Sequence, residues 1–573
     1  MNPFLDTIVS STAQAAELDE GVVRELIAIP PDDKLGDYAL PCFTLAKQLH
    51  KSPVEIAAEI GERLQPVMEA GDQVAEVVVT GPYVNFRLHR PSFVQHTLDV
   101  IAERGDRYGS RGQGEGKTVV IDFSSPNLAK PFSIAHLRST AIGHAIYRIH
   151  DFLDWKCVGI NHYGDYGANF GQLLAAYQLW GDPEKVKANP VPELLKLYVR
   201  FTEEERENPE LREEARSRLR RLANADAEMV ELWQFFVSEG RKEAERIYGI
   251  LGVSFDEYRG ESEFADDLDK VVDLFESKGL AEESEGALIV RLEGDDDEEV
   301  APCMLRTSNR TSTYHSRDIA ALLYRHKSYN FGKMIYVVDA RQELHFRQVF
   351  QAMEKAGVDW VDNCVHAPFG LMSFKGQAMS TRRGTIVILE EVLDQAIELT
   401  REIIAEKNPE LVNSDQVAKQ VGIGAVVFAD INNRRTRDIS FSLEEVLTFE
   451  GETGPYLQYT HARFCSILRR HGKPVDLGVD VGRLDSDKEM RVARQLAAFP
   501  DVVAAAADEI EPSQIASFLL ELATLANRFY NEVPVLAGDD EGLVAARIRL
   551  VDAIRSVLRS GLDLLGLQVP EEM

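Results

Sequence analysis

Residues 117–152 constrain this chain more than any other stretch. KTVVIDFSS (117–125) is an apolar, β-branched run of strand length, the pattern of a strand buried on both faces. A polar turn interrupted by Pro126 and Pro131 follows, and from about His136 apolar residues recur at helical spacing through STAIGHAIYRIHDFL. A buried strand feeding a helix opens a βα unit of a doubly wound parallel sheet. Further strands of that sheet are expected at ALIVRL (287–292) and KMIYVVDA (333–340), with the charged, helical stretch of about 168–250 inserted between the opening βα unit and these strands.

The flanks read differently. Residues 1–112 suggest a small α+β unit, with an amphipathic helix in ALPCFTLAKQLHKSPVEIAAEIGERL and a strand pair in AEVVVTGPYVNFRL. From 391 to 573 the pattern is helical. The expected fold class is thus multidomain: an α+β unit at 1–112, a Rossmann-type α/β domain at 113–390 and an all-α domain at 391–573. With 573 residues, several cores are needed in any case.

Composition narrows the function classes. No apolar run approaches the roughly 20 residues of a membrane helix, and the first residues carry acids in place of the basic start of a leader. A cytoplasmic protein with no membrane partner is expected. Five cysteines lie scattered without a CxxC pair, which predicts neither a protein-bound metal nor a disulfide framework. A net charge of -31 argues against nucleic acid, but the acids are bunched at 201–210, 294–300 and 537–542, while basic stretches stand at 216–222, 432–437 and 461–473. Local field, not total charge, steers a polyanion.

Three constellations carry chemistry. In the turn after the first strand, Lys130 and His136 can donate to phosphate oxygens at a helix N-terminus, and Asp122 and Asn127 can hold a cationic substrate; a plain capped turn is the bland alternative. The loop KGQAMSTRRG (375–384) can close over a triphosphate. Tyr314 and Asp318, at i and i+4, share a helix face that suits a guanidinium, although such a pair is more often a surface hydrogen bond.

FSSPNLAKPFSIAHLRST resembles the ATP-binding signature of arginyl-tRNA synthetases, a class I family. AMSTRRG resembles that family's second signature loop, TYHSRDIA its arginine-reading element, and GETGPYLQYTHARFCSILRR the start of its anticodon-binding domain. Ser133, Ala135 and Ala378 depart from the histidine, glycine and lysine usual there.

The resemblance implies an N-terminal additive domain touching the tRNA elbow, a catalytic domain and an anticodon-binding domain. It implies ATP with Mg2+, L-arginine and tRNA(Arg) as substrates, a monomer, and activation of arginine only after tRNA binds. Catalytic charge is assigned to Lys130, His136, Lys375 and Arg382. ATP contacts fall on Pro126, Ser133, Ala135, His136, His345, Met379 and Ser380. Arginine contacts fall on Asp122, Ser124, Asn127, His136, Tyr314, Asp318 and Gln342, and tRNA contacts on Tyr83, Asn85, Tyr456, Tyr459, Tyr530 and Met573. The alternative is a catalytically silent RNA-binding paralogue.

Overall fold

The computed structural model describes residues 3–30, 32, 34–68, 71, 73–293, 299–308, 310–374, 377–378 and 387–573. They form two compact units, one of residues 112–459, 503–517 and 561–573, the other of residues 1–111, 460–502 and 518–560.

The first unit is built on a parallel sheet of β1 (Thr118–Asp122), β2 (Lys156–Tyr163), β3 (Glu257–Gly260), β4 (Lys333–Tyr336) and β5 (Cys364–His366). Four of the five residues of β1 are buried, as befits a central parallel strand covered on both faces. The spatial order is β5-β4-β1-β2-β3 and every pairing is parallel. The winding direction reverses between β1 and β4. Ligands of open α/β sheets sit outside the carboxyl ends of the strands at such a switch point.

Three helices frame that end of the sheet: α1 (Ala135–Phe152), α2 (Tyr314–Tyr329) and α3 (Glu343–Lys355). Between β2 and β3 run five helices, from Ala168–Trp180 to Ala227–Leu251, which matches the expected insertion. Residues 287–292 do not join the parallel sheet. Ala287–Glu293 is the middle of a separate antiparallel sheet with Ala281–Ser284 and Glu299–Arg306. The cause is local: Glu285 and Gly286 both have positive φ (51° and 81°), the twist of a two-residue hairpin turn, which closes an antiparallel ladder. The 333–340 strand stops at Tyr336, because Asp339 accepts from Arg341 N–H and caps a short helical turn at Ala340–Gln342.

In the second unit an antiparallel sheet orders Tyr38–Pro41, Tyr83–Leu88 and Val74–Thr80. Part of the expected long helix is the edge strand Tyr38–Pro41. The helix proper starts only at Pro53, after His50 turns left-handed (φ 52°). C-terminal helical residues complete this unit, with Arg494 3.0 Å from Asp37 and Tyr108 donating its hydroxyl to Leu496 O at 2.9 Å. No helix among the described residues is long and apolar enough to cross a membrane.

Candidate active site

The chain leaves β1 through two consecutive left-handed residues, Ser124 (φ 67°) and Ser125 (φ 45°). Such a conformation costs non-glycine residues of order 1–3 kcal/mol each and persists only where the surroundings over-determine it. Here they do. Ser124 N–H donates to Ser139 Oγ (2.8 Å), and its hydroxyl lies 2.7 Å from both Thr140 Oγ1 and Tyr248 Oη. Ser125 Oγ donates to Asp122 Oδ1 (2.7 Å) and accepts from His162 N–H (3.0 Å). The turn is then stitched to the end of β2, with Gly164 N–H donating to Pro126 O and Leu128 N–H to Gly164 O, both at 3.1 Å. Asn127 Oδ1 accepts from Ala129 N–H.

This delivers Ser133, Ala135 and His136 to the N-terminus of α1, which has no side-chain cap. The helix dipole there favours an anion, while the His136 and Leu137 N–H groups donate to Ser133 O (2.9 Å) and Ile134 O (3.0 Å). Ser133 N–H donates to His136 Nδ1 at 3.0 Å, and the Ser133 hydroxyl is 3.2 Å from the same atom. Because Nδ1 accepts, the ring proton sits on Nε2. Burial, aided by the nearby Lys130 charge and opposed by that hydrogen bond, pushes His136 down to about 4. At neutral pH His136 is thus a neutral imidazole presenting one donor. Lys130, half-buried, borders a cavity of about 50 Å³ that the turn shares with Phe236 and Glu243 of the inserted helices.

Opposite the turn, α2 carries Asp318, whose Oδ2 accepts from His345 Nε2 of α3 at 2.5 Å. His162 Nε2 lies 3.9 Å from Asp318 Oδ1. Burial works against its ionisation, yet His345, His162 and Arg325 together hold the Asp318 carboxyl below the usual range. Beside it Arg317 pairs with Glu261 at 2.6 Å; burial and the Asp318 and Asp165 charges push Glu261 up to about 7 against that partner. Tyr314 is 65% exposed at the start of α2, with Arg317 5.2 Å over its ring. Gln342 is exposed in the turn ahead of α3. The turn, Asp318 and His345 converge; Tyr314 and Gln342 stand on the rim.

Several expected roles change. The Asp122 carboxylate is not open to a ligand. It is 4% exposed, ion-paired to Arg325 at 2.7 Å and bonded to Ser125, so it anchors the turn. The Ser124 hydroxyl is spent on Thr140 of α1 and Tyr248 of the inserted helices. Asn85 is 2% exposed and donates to Val78 O within its hairpin. Met573 packs on the Ile404, Val417, Ala418 and Val421 cluster, and its carbonyl accepts from Asn408. Tyr83, Tyr459 and Tyr530 remain exposed, and Tyr456 is half-buried. Lys375, Met379, Ser380 and Arg382 lie outside the described residues.

The residues that pattern reading missed are Arg325, His162, Tyr248 and Glu261. Arg325 had a signal: a lone cation seven residues after Asp318, hence two turns along an apolar helix face. Tyr248 and Glu261 come from the inserted helices and the end of β3 and have no local mark.

A doubly wound sheet with a strained polar turn and a carboxylate gathered at its switch point defines a Rossmann-type α/β domain with its site at the carboxyl ends of the strands. The family described as tRNA synthetases class I (R), catalytic domain, matches residues 98–443. The arginyl tRNA synthetase N terminal domain matches 4–88 and the DALR anticodon binding domain 457–573. The arginine–tRNA ligase of Halothermothrix orenii is 44% identical over 574 residues, covering all of both chains. That of Clostridium perfringens is 44% identical over 96% of each. The solved arginyl-tRNA synthetase of Thermus thermophilus superposes with a TM-score of 0.81 at 29% identity, covering 99% of this chain and 100% of its own. The chain belongs to the arginyl-tRNA synthetase family.

Proposed function

We propose the following division of labour for an enzyme that activates L-arginine with ATP and transfers it to the 3' end of tRNA. The arginine carboxylate attacks the α-phosphorus of ATP, giving arginyl-adenylate and pyrophosphate; the terminal ribose hydroxyl of tRNA(Arg) then takes the aminoacyl group and releases AMP. Neither step needs a protein nucleophile, so catalysis is positioning and charge stabilisation.

The single observation that carries this reading is that Asp318, bonded by His345 at 2.5 Å, is tied to the strained turn at the switch point through His162, whose backbone N–H donates to Ser125 Oγ and whose ring lies 3.9 Å from Asp318 Oδ1. Asp318, oriented by His345, receives the guanidinium, with Tyr314 and Gln342 closing from the rim and Asn127 on the amino-acid backbone. His136 Nε2–H and Lys130 donate to phosphate oxygens as charge builds, joined by Lys375 and Arg382 from the second signature loop. Pro126, Ala135, Met379 and Ser380 bound the nucleotide, whose phosphates carry Mg2+ as part of the substrate. Residues 1–112 and 391–573 serve tRNA, through Tyr83 and through Tyr456, Tyr459 and Tyr530. The enzyme acts as a cytoplasmic monomer.

Arginine-dependent ATP–pyrophosphate exchange, run with and without tRNA(Arg), tests the assignment. Exchange is expected with arginine alone among the amino acids and only in the presence of tRNA. Absence of exchange in both arms would favour the silent RNA-binding paralogue.

A further inference from the structure

Arg138 lies two residues beyond His136 on α1 and is 1% exposed, as buried as any charged side chain among the described residues except Asp430 at 0%. The two are joined, with Arg138 Nε donating to Asp430 Oδ1 at 2.8 Å. The other guanidinium nitrogens reach backbone. Nη1 donates to Gly370 O (2.8 Å) and Arg437 O (2.9 Å), and Nη2 to Arg435 O (3.2 Å). A planar fork with fixed donor directions is suited to holding several carbonyls at once.

Those carbonyls belong to two segments that run together. Gly370 N–H donates to Arg435 O (2.9 Å), and Met372–Phe374 pairs in parallel with Ile439–Phe441. The approach is close enough that a Cβ on Gly370 would meet the Arg437 carbonyl at 2.7 Å. Met372–Phe374 is the strand from which the chain departs into 375–386. Where it returns, Ile134 N–H donates to Val387 O (3.0 Å) and Leu389 N–H to Phe132 O (3.1 Å). The first signature therefore grips both flanks of the second, through its own backbone on one side and through the Arg138 fork on the other.

We propose that Arg138 is a positioning residue for arginine activation: it locks the strand Met372–Phe374 to the first turns of α1 and so fixes where the second signature begins relative to His136. The proposal rests on the assignment of 375–384 as the triphosphate loop. A strand displaced by about 1 Å loses up to about 100-fold in rate without touching substrate.

The test uses the full-length enzyme with tRNA. Arg138→Gln is expected to lower the exchange kcat by about 10- to 100-fold and raise the ATP KM, while the arginine Kd moves by less than about threefold. Arg138→Lys, which keeps the charge facing Asp430 but not the fork, should fall between. Should Arg138→Gln fail to fold, Gly370→Ala leaves the arginine in place and pushes the strand off it, with the same kinetic signature expected. Exchange within twofold of wild type in Arg138→Gln or Gly370→Ala overturns the proposal, as does an arginine Kd that weakens in step with kcat. A Lys375→Ala, Arg382→Ala double variant runs alongside. Normal exchange there overturns the loop assignment and the route by which Arg138 acts; a defective double variant beside a normal Arg138→Gln overturns the Arg138 role alone.

Discussion

Asp122 and Arg325 meet at 2.7 Å with both side chains nearly withdrawn from solvent. The pair joins the end of β1 to the middle of α2, and through Ser125 it braces the left-handed turn. Removing one member of a buried ion pair strands the other and costs about 3–5 kcal/mol, whereas replacing both with apolar groups is often neutral. Arg325→Met should therefore destabilise the enzyme on that scale in urea unfolding, and Asp122→Leu added to Arg325→Met should recover most of the loss. An unchanged midpoint in Arg325→Met would show the pair to be incidental.

Asp318 is the group whose removal should separate the two substrates. Asp318→Asn leaves the shape but withdraws the charge, and losing one partner of a hydrogen-bonded charge pair costs about 2–5 kcal/mol, roughly 30- to 4,000-fold. The arginine KM is expected to rise by that factor while the ATP KM holds. Equal weakening of both would move the guanidinium site elsewhere.

Lys130 contributes charge next to His136. Lys130→Ala should slow exchange about 100-fold, the scale of one lost transition-state donor. Since Lys130 is one of the groups depressing His136, its removal should also raise that histidine and shift the acid limb of the rate profile upward. Near-normal exchange would hand the role to Lys375 or Arg382.

Three histidines of α1 make stability depend on pH. His136, His144 and His150 are each pushed down by burial to about 4. The unfolded chain binds their protons at an ordinary value near 6.5, so between pH 6.5 and 4 only the unfolded state takes them up. Stability then falls as pH falls through that window and is fully present above it. His150→Asn keeps the donor to Ile146 O that Nδ1 supplies at 2.8 Å but cannot titrate. Its unfolding free energy should decline less steeply from pH 6.5 to 4.5 than that of wild type, by an amount on the order of 2–3 kcal/mol. Identical slopes would remove His150 from the linkage.

How much of this was legible in the sequence depends on distance along the chain. The β1 strand, the turn and α1 form one contiguous stretch with its own periodicity, and they fold as read. The parallel sheet was legible in kind but not in membership, because an apolar strand such as 287–292 carries no mark of its partner; only the Glu285-Gly286 turn did. The ion pair of Asp122 was hidden for a related reason. A carboxylate at a strand end looks like a ligand group until its partner, Arg325, is seen to lie some 200 residues away. Asp430, a lone acid within the apolar GIGAVVFADI helix, announced a buried partner without saying which.

The strongly acidic chain and its RNA leave the sharpest expectation. Its arginine stretch at 216–221 is neutralised from within: Arg216 and Arg220 pair with Glu213, Arg218 with Glu214, and Arg221 with Asp226 and Glu228. In the 432–437 stretch Arg435 is turned inward, donating to Pro368 O (2.8 Å) and Ile510 O (3.0 Å), while Arg434 is exposed. Those two stretches thus offer few cations for phosphate, leaving the exposed Arg469, Arg470 and Lys473 of the third, and stacking carries a larger share. Tyr459 is 40% exposed and Tyr530 36%, each ring supported from one side, by the edge of Phe449 at 6.4 Å and by the Arg463 guanidinium at 5.4 Å. A supported, half-exposed ring is a ready stacking platform for an unpaired base. Tyr459→Ala and Tyr530→Ala should each weaken tRNA(Arg) binding by about 1–3 kcal/mol with the salt slope unchanged. Arg434→Gln should weaken it modestly and reduce the slope by about 1. Arg435→Gln should leave the slope alone and lower thermal stability, because its donors are committed to backbone. Filter-binding titrations from 50 to 200 mM salt separate these outcomes: wild-type affinity in both tyrosine variants, or a slope change confined to Arg435→Gln, would place the RNA on another face.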